Sequence, residues 1–182
     1  MPAAYRNRKI CLRHRVNADF RRRLRFDLAR GELRDGDTRY VMLREDSLMG
    51  LFKRLPDRAR ANAFKAFAAS VTEHGARSAA RYRARNRNAG ELLATITATA
   101  PQLGWGVWRF SRTETGELHL EVTNSPFAHG YGASSVAVCA PIAGMLGAVA
   151  SILFDAPVLA QEHLCASAGG DICRFSARPN KP

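Results

Sequence analysis

The sequence is poor in acids and in closely paired cysteines. Its 182 residues hold 16 Asp and Glu against 28 Lys and Arg, a net charge of +12, and four cysteines, none of them in a Cys-x-x-Cys pair. The familiar zinc-knuckle and thioredoxin-type signatures are therefore excluded. There is no strand-to-helix Gly-x-Gly-x-x-Gly turn and no phosphate-cradling loop, which removes the usual sequence sign of a nucleotide cofactor. Gly104-Trp105-Gly106 opens a strand rather than a helix and does not substitute for one. No segment recurs at the period of a solenoid or propeller, and no low-complexity stretch interrupts the chain. The N-terminus lacks the apolar core of a secretory signal, which points to a cytoplasmic protein. In that reducing setting cysteines close in space serve metal or redox chemistry before disulfides.

Long hydrophobic runs are equally scarce. Val136 to Phe154 carries no charge and has the length of a bilayer span, but it is rich in Ala, Gly and Ser and contains Pro141. Its transfer into lipid would be marginal, so a buried core helix and no membrane span is the expectation. Its small residues Gly144, Gly147, Ala148 and Ser151 suit close approach by another backbone.

What is abundant is arginine. Arg6, Arg8, Lys9, Arg13, Arg15, Arg21, Arg22, Arg23 and Arg25 precede residue 26 with Asp19 as the only acid among them, which reads as a basic arm over residues 1–25. Arg77, Arg81, Arg83, Arg85 and Arg87 fall at a helix end, where cations complement the helix dipole without any ligand. Solvated faces account for both groups, with a nucleic acid or other polyanion as the alternative partner.

Periodicity fills in the rest as one domain, residues 26–179. Phe26–Leu33 and Tyr40–Arg44 flank a turn at residues 34–37 and form a hairpin. A short amphipathic helix follows Asp46 and stops at Pro56, and a long helix runs from Asp57 to about Arg85. Glu91–Pro101 predicts a third helix. Trp105–Arg112 and Glu117–Asn124 predict a second hairpin, with a loop from Ser125 to Tyr131. The apolar helix and a closing hairpin, Val158–Cys165 with Ile172–Ala177, complete an α+β class, an antiparallel sheet packed with helices.

Three cysteines converge in this scheme. Cys165 and Cys173 flank the turn of the closing hairpin, and Cys139 lies inside the apolar helix. Soft thiolates with one further donor favour tetrahedral zinc. Strand alternation favours His163 as the fourth ligand, since it shares a face with Cys165, whereas Glu162 needs a bulge. The competing readings are an inert core cysteine at 139 and a cross-strand disulfide or free thiols at 165 and 173.

The segments LEVTNSPFA (120–128), CAPIAGMLGAV (139–149) and EHLCASAGGDICRF (162–175) resemble the 4-vinyl reductase (4VR) domain family. The shared pattern is a helix cysteine, then Glu-x-x-Cys, then seven residues and a final cysteine before an aromatic. The resemblance implies the ligand-binding fold of nitric-oxide-signalling and Golgi-transport proteins, usually dimeric. It also implies kinship with vesicle-tethering subunits and aromatic-sensing activators, and zinc on Cys139, Glu162, Cys165 and Cys173.

Three functions follow as expectations. The first is a zinc-containing module that binds or senses a small hydrophobic or aromatic molecule, lined by Phe64, Phe67, Val71, His74, Trp105, Trp108, Phe110, Phe127 and Met145. His74 and the tryptophans match the ligand-holding residues of phenol sensors by type only. The second is a reductase, or reductase accessory, acting on a vinyl-bearing tetrapyrrole. With no cofactor motif and four protein ligands closing the metal, catalysis is disfavoured. The third is a regulator that contacts nucleic acid or a partner protein through the arm.

Overall fold

The computed structural model describes residues 19–86, 88–114 and 116–180. Most of the basic arm, Cys11 included, lies outside them. The arm's last residues are nonetheless structured, unlike the sequence expectation. Asp19 caps α1 (Phe20–Arg23) by accepting from the Arg22 amide at 3.3 Å. Phe20 is buried edge-on against Tyr40 at 5.4 Å, and Arg23 grips both Asp35 oxygens.

The N-terminal hairpin is instead a three-stranded antiparallel meander, β1 (Arg25–Asp27), β2 (Glu32–Asp35) and β3 (Thr38–Tyr40). Gly36, at φ +58°, makes the β2–β3 turn two residues long, so the strand ends at Tyr40 and residues 41–44 leave the sheet. Two helices follow as periodicity predicts, α2 (Glu45–Lys53) and α3 (Asp57–Arg85), divided by Pro56, whose extended backbone starts the second. At the far end of α3 the Arg83 guanidinium donates to the Asn86 carbonyl at 3.0 Å, as cations at a helix C-terminus do. Asn88 caps α4 (Ala89–Thr99) through the Glu91 amide, and a 3-10 turn at Ala100–Leu103 ends on left-handed Gly104.

The main sheet orders its strands β4-β5-β7-β6, every neighbouring pair antiparallel: β4 (Val107–Arg112), β5 (Leu118–Thr123), β6 (Val158–Leu164) and β7 (Cys173–Pro179). Leu118, Leu120, Val122, Phe175 and Ala177 point to its covered face and are buried. Against them lies α6 (Ala140–Phe154), with Ile142, Leu146 and Val149 in the same core. No helix among the described residues is long and apolar enough to cross a membrane.

Two differences from the sequence reading matter for the site. Residues 125–131 are not a loop. Ser125 accepts from the Ala128 amide and Pro126 occupies the first turn, so Ser-Pro starts a short helix, α5 (Pro126–Tyr131). Cys139 is not inside α6 but is its N-cap, and Pro141 sits in the first turn where its missing N–H costs nothing.

The α3–α6 contact uses the small residues of α6. A Cβ on Gly144 would stand 2.3 Å from the Ala68 carbonyl oxygen, and the Thr72 hydroxyl bridges the two helices by bonding the carbonyls of Ala68 and Gly144 at 2.9 and 3.0 Å. Backbone cannot yield as a flexible side chain can. Gly144→Ala is therefore expected to cost about 1–3 kcal/mol by prying the helices apart. Urea unfolding would check it, and an unchanged midpoint would show that the helices separate freely.

Candidate metal centre

Four side chains from three elements meet at one end of the sheet. Cys139 caps α6, Glu162 belongs to β6, Cys165 follows β6, and Cys173 opens β7. One ligand atom from each lies within 4.8 Å of all the others. The strand pairing explains how Glu162 gets there. Register shifts between Glu162 and Leu164 at a bulge that skips His163, turning Glu162 to the side of Cys165 that strand alternation assigns to its neighbour. His163 faces the other way, its Nε2 2.7 Å from the Ser176 hydroxyl.

The three described cysteines are free and buried, so the disulfide alternative does not occur here. The Cys139 sulfur is 3.6 Å from Cys173 and 3.9 Å from Cys165. Thiolates arranged tetrahedrally at about 2.3 Å around one zinc would be ~3.8 Å apart. Polar groups surround the cluster: the Cys139 amide donates to Glu162 Oε2 at 2.9 Å, the Ala166 amide reaches Cys173 at 3.4 Å, and the Ser125 hydroxyl lies 3.1 Å from Cys139. Glu162 Oε1 is buried without a hydrogen-bond partner. A buried carboxylate oxygen left unpaired is costly, and a cation would remove that cost. Three soft sulfurs and one oxygen aimed at a common point fit a borderline-soft divalent ion.

Titration behaviour says the same. Burial, then the neighbouring Cys165 charge, pushes the Glu162 carboxyl up to about 8. Bonds with Cys165 and Cys173, reinforced by burial, drive the Cys139 thiol far above its ordinary range. The Cys139 contact pulls the Cys173 thiol down, yet Cys165 and burial outweigh it and leave it pushed up to about 12. Only Cys165, which accepts from both other thiols, falls well below the usual thiol range. Each like-charged pair at ~4 Å repels by about 4 kcal/mol near a protein surface. Without a cation the cluster can hold little negative charge.

The aromatic candidates form a second constellation nearby. Phe64 and Phe67 stack on Phe52 with centroids 4.5 and 5.7 Å away, Phe67 meets Phe127 at 6.3 Å, and Phe127 meets Trp105 edge-on at 5.2 Å. Trp105 continues to Trp108 at 6.5 Å and Trp108 to Phe110 at 5.9 Å. Trp108 is buried, and its indole N–H donates to the Trp105 carbonyl. Val71 is half-buried on α3, and Met145 fills the space over Gly75. His74 does not join them: its side chain is 61% exposed, 3.9 Å from Glu73. Phe52 and Tyr131, the latter 6.2 Å from Phe64, belong to the array but were missed. The amphipathic spacing of α2 signalled the first, and the misread Ser125–Tyr131 helix hid the second.

The arrangement defines an α+β domain whose sheet end is tied to a core helix by a three-thiol, one-carboxylate cluster. Residues 118–179, which contain Cys139, Glu162, Cys165 and Cys173, match the family model of the vinyl-4-reductase (4VR) domain, so the resemblance read from Glu162 to Phe175 holds. No curated protein matches the chain. Among solved structures, the phenol-responsive sensory domain of the transcription activator PoxR with phenol is similar over 90% of this chain and 88% of its own, at 20% identity and a TM-score of 0.75. A trafficking protein particle complex subunit 3 from Naegleria fowleri, covalently bound to palmitic acid, is similar over 75% and 95%, at 11% identity and a TM-score of 0.50. An H-NOX protein from S. oneidensis, in the Fe(II)NO ligation state, is similar over 80% and 82%, at 14% identity and a TM-score of 0.50. At these identities the likenesses establish the fold.

The raised Glu162 carboxyl has a sign that can be tested. In metal-free protein its contribution to stability is fully present below the ordinary value of 4.5 and is lost as pH rises through about 8. Chelator-treated protein should therefore lose stability across that window, and Glu162→Gln should lose less. Equal slopes for the two proteins would show that another group is responsible.

Proposed function

We propose that this chain is a sensing or binding domain for a small aromatic molecule, held in shape by a structural zinc ion on Cys139, Glu162, Cys165 and Cys173. The observation that carries the ligand reading is the aromatic array. Phe64, Trp108 and Phe127 are buried, while Phe67, Trp105 and Phe110 are its half-buried edges, a wall of π-faces that a phenol-sized ring could join. The PoxR domain that shares this fold is phenol-responsive, which supports the same ligand class here.

The zinc would supply charge neutralisation and a cross-link, not a reaction. Four protein donors leave no position for water, as in structural sites. Cys139 and Cys173 would bind as thiolates and Glu162 as carboxylate, each giving up the proton it otherwise keeps, and the Ala166 and Cys139 amides would steady the charge that remains.

Two measurements test the proposal separately. Elemental analysis should find about one zinc per chain, and Cys173→Ser should remove it and cost several kcal/mol of stability, because the assembled site exists only in the folded chain. Unchanged melting in both the variant and chelated wild type would refute the structural role. Calorimetric titration with phenol should give saturable binding that Trp105→Ala weakens roughly tenfold, the loss of about 1.4 kcal/mol. No heat and no shift in melting temperature at saturating phenol would sink the ligand reading and leave the zinc reading standing.

A further inference from the structure

We propose that the β1–β3 meander and the linker after it form a face on which a second copy of this chain docks. β1 and β3 both run antiparallel to β2, so the chain leaves both strands at the same end of the sheet. Large apolar side chains gather there: Leu28 is 90% exposed, Val41 83%, Met42 77% and Leu43 60%, with Phe26 at 60% on β1 beside them. Together they offer roughly 600–700 Å² of apolar surface, above the largest patch of an ordinary monomer and close to the ~800 Å² that each partner buries in a standard interface.

The sheet itself is unfinished. None of its three strands exceeds four residues and none has a buried residue. A sheet this small is not stable without a covered apolar face. β3 is also an edge strand, and edges invite pairing with another chain.

Charge selects the occupant. Residues 26–46 carry six acids, Asp27, Glu32, Asp35, Asp37, Glu45 and Asp46, against four arginines, in a chain whose net charge is +12. An anionic membrane or a nucleic acid would be drawn elsewhere. The charges at the rim are already paired: Glu32 lies 2.6 Å from Arg34, 3.6 Å from Arg30 and 3.7 Å from Arg39, and Asp35 bonds Arg23. A patch that is apolar at its centre and internally neutralised at its rim can meet its own copy across a two-fold axis without like-charge repulsion.

Sedimentation velocity on the full chain, without phenol, tests this independently of the ligand reading. Wild type should be dimeric, with a melting temperature that rises with protein concentration. Val41→Lys with Leu43→Lys should be monomeric at concentrations where wild type is dimeric, with its melting temperature no longer concentration-dependent and its circular dichroism unchanged. Leu28→Lys with Met42→Lys is a second pair in case the first fails to fold. Wild type monomeric at every concentration overturns the proposal. So does a folded variant that remains dimeric, or a monomeric wild type that co-sediments with phosphatidylglycerol vesicles.

Discussion

The contact on which this fold turns is the meeting of Cys139, Glu162, Cys165 and Cys173. It joins the start of α6 to the hairpin of β6 and β7, elements that no short connection would otherwise hold in register. The hydrophobic core fixes where α6 lies on the sheet, but apolar packing is non-directional and tolerates small slides. Sulfur-to-sulfur distances of 3.6 and 3.9 Å and a 2.9 Å bond from the Cys139 amide to Glu162 admit almost none. The cluster also sits at the positive end of the α6 dipole, the place in the fold best suited to concentrated negative charge. Thiols pushed up in pKa, a carboxyl raised to about 8 and an unpartnered carboxylate oxygen are what such a cluster looks like before a cation neutralises it.

The large outline was legible in the sequence because it depended on periodicity. α3 begins at Asp57 after Pro56 and ends at Arg85 as its spacing required, and the hairpins of the main sheet lie where alternation and turn chemistry put them. The cluster was legible for a different reason. The spacing of Cys165 and Cys173 around a glycine turn brings them together in any hairpin, while the choice of Glu162 over His163 came from family resemblance. The bulge that turns Glu162 inward skips one residue, and no period-2 argument can foresee a break in period 2.

What was not legible were short elements set by tertiary contacts. The six residues of α5 are too few to carry a periodic signal, and the clue was the Ser-Pro pair of an N-cap. Arg21 to Arg23 read as solvated arm because charge dominates them, yet a single buried ring, Phe20, and one ion pair to Asp35 bind that stretch to the meander. His74 shared a helix face with Phe67 and Val71 by spacing, but α3 extends past the array and leaves it in solvent.

The helix that sequence missed is the piece that links the two constellations. Ser125, its cap, touches the Cys139 sulfur at 3.1 Å, and Ser167, from the loop between Cys165 and Cys173, donates to the Ala128 carbonyl at 3.0 Å. One residue away Phe127 sits against Trp105 and Phe67, and Tyr131 against Phe64. At its outer side His129 bonds Glu45 at the start of α2, and Gly130 lies so close to Glu45 that a Cβ would come within 2.7 Å of its carbonyl oxygen. A helix this short moves as a unit, and it is bonded at one end to the thiol cluster and wedged in its middle among aromatic rings. Phe127 therefore cannot shift to admit or release a neighbouring ring without straining either the Ser125–Cys139 contact or the bond from Ser167. The aromatic array and the cluster are mechanically one structure, joined through six residues.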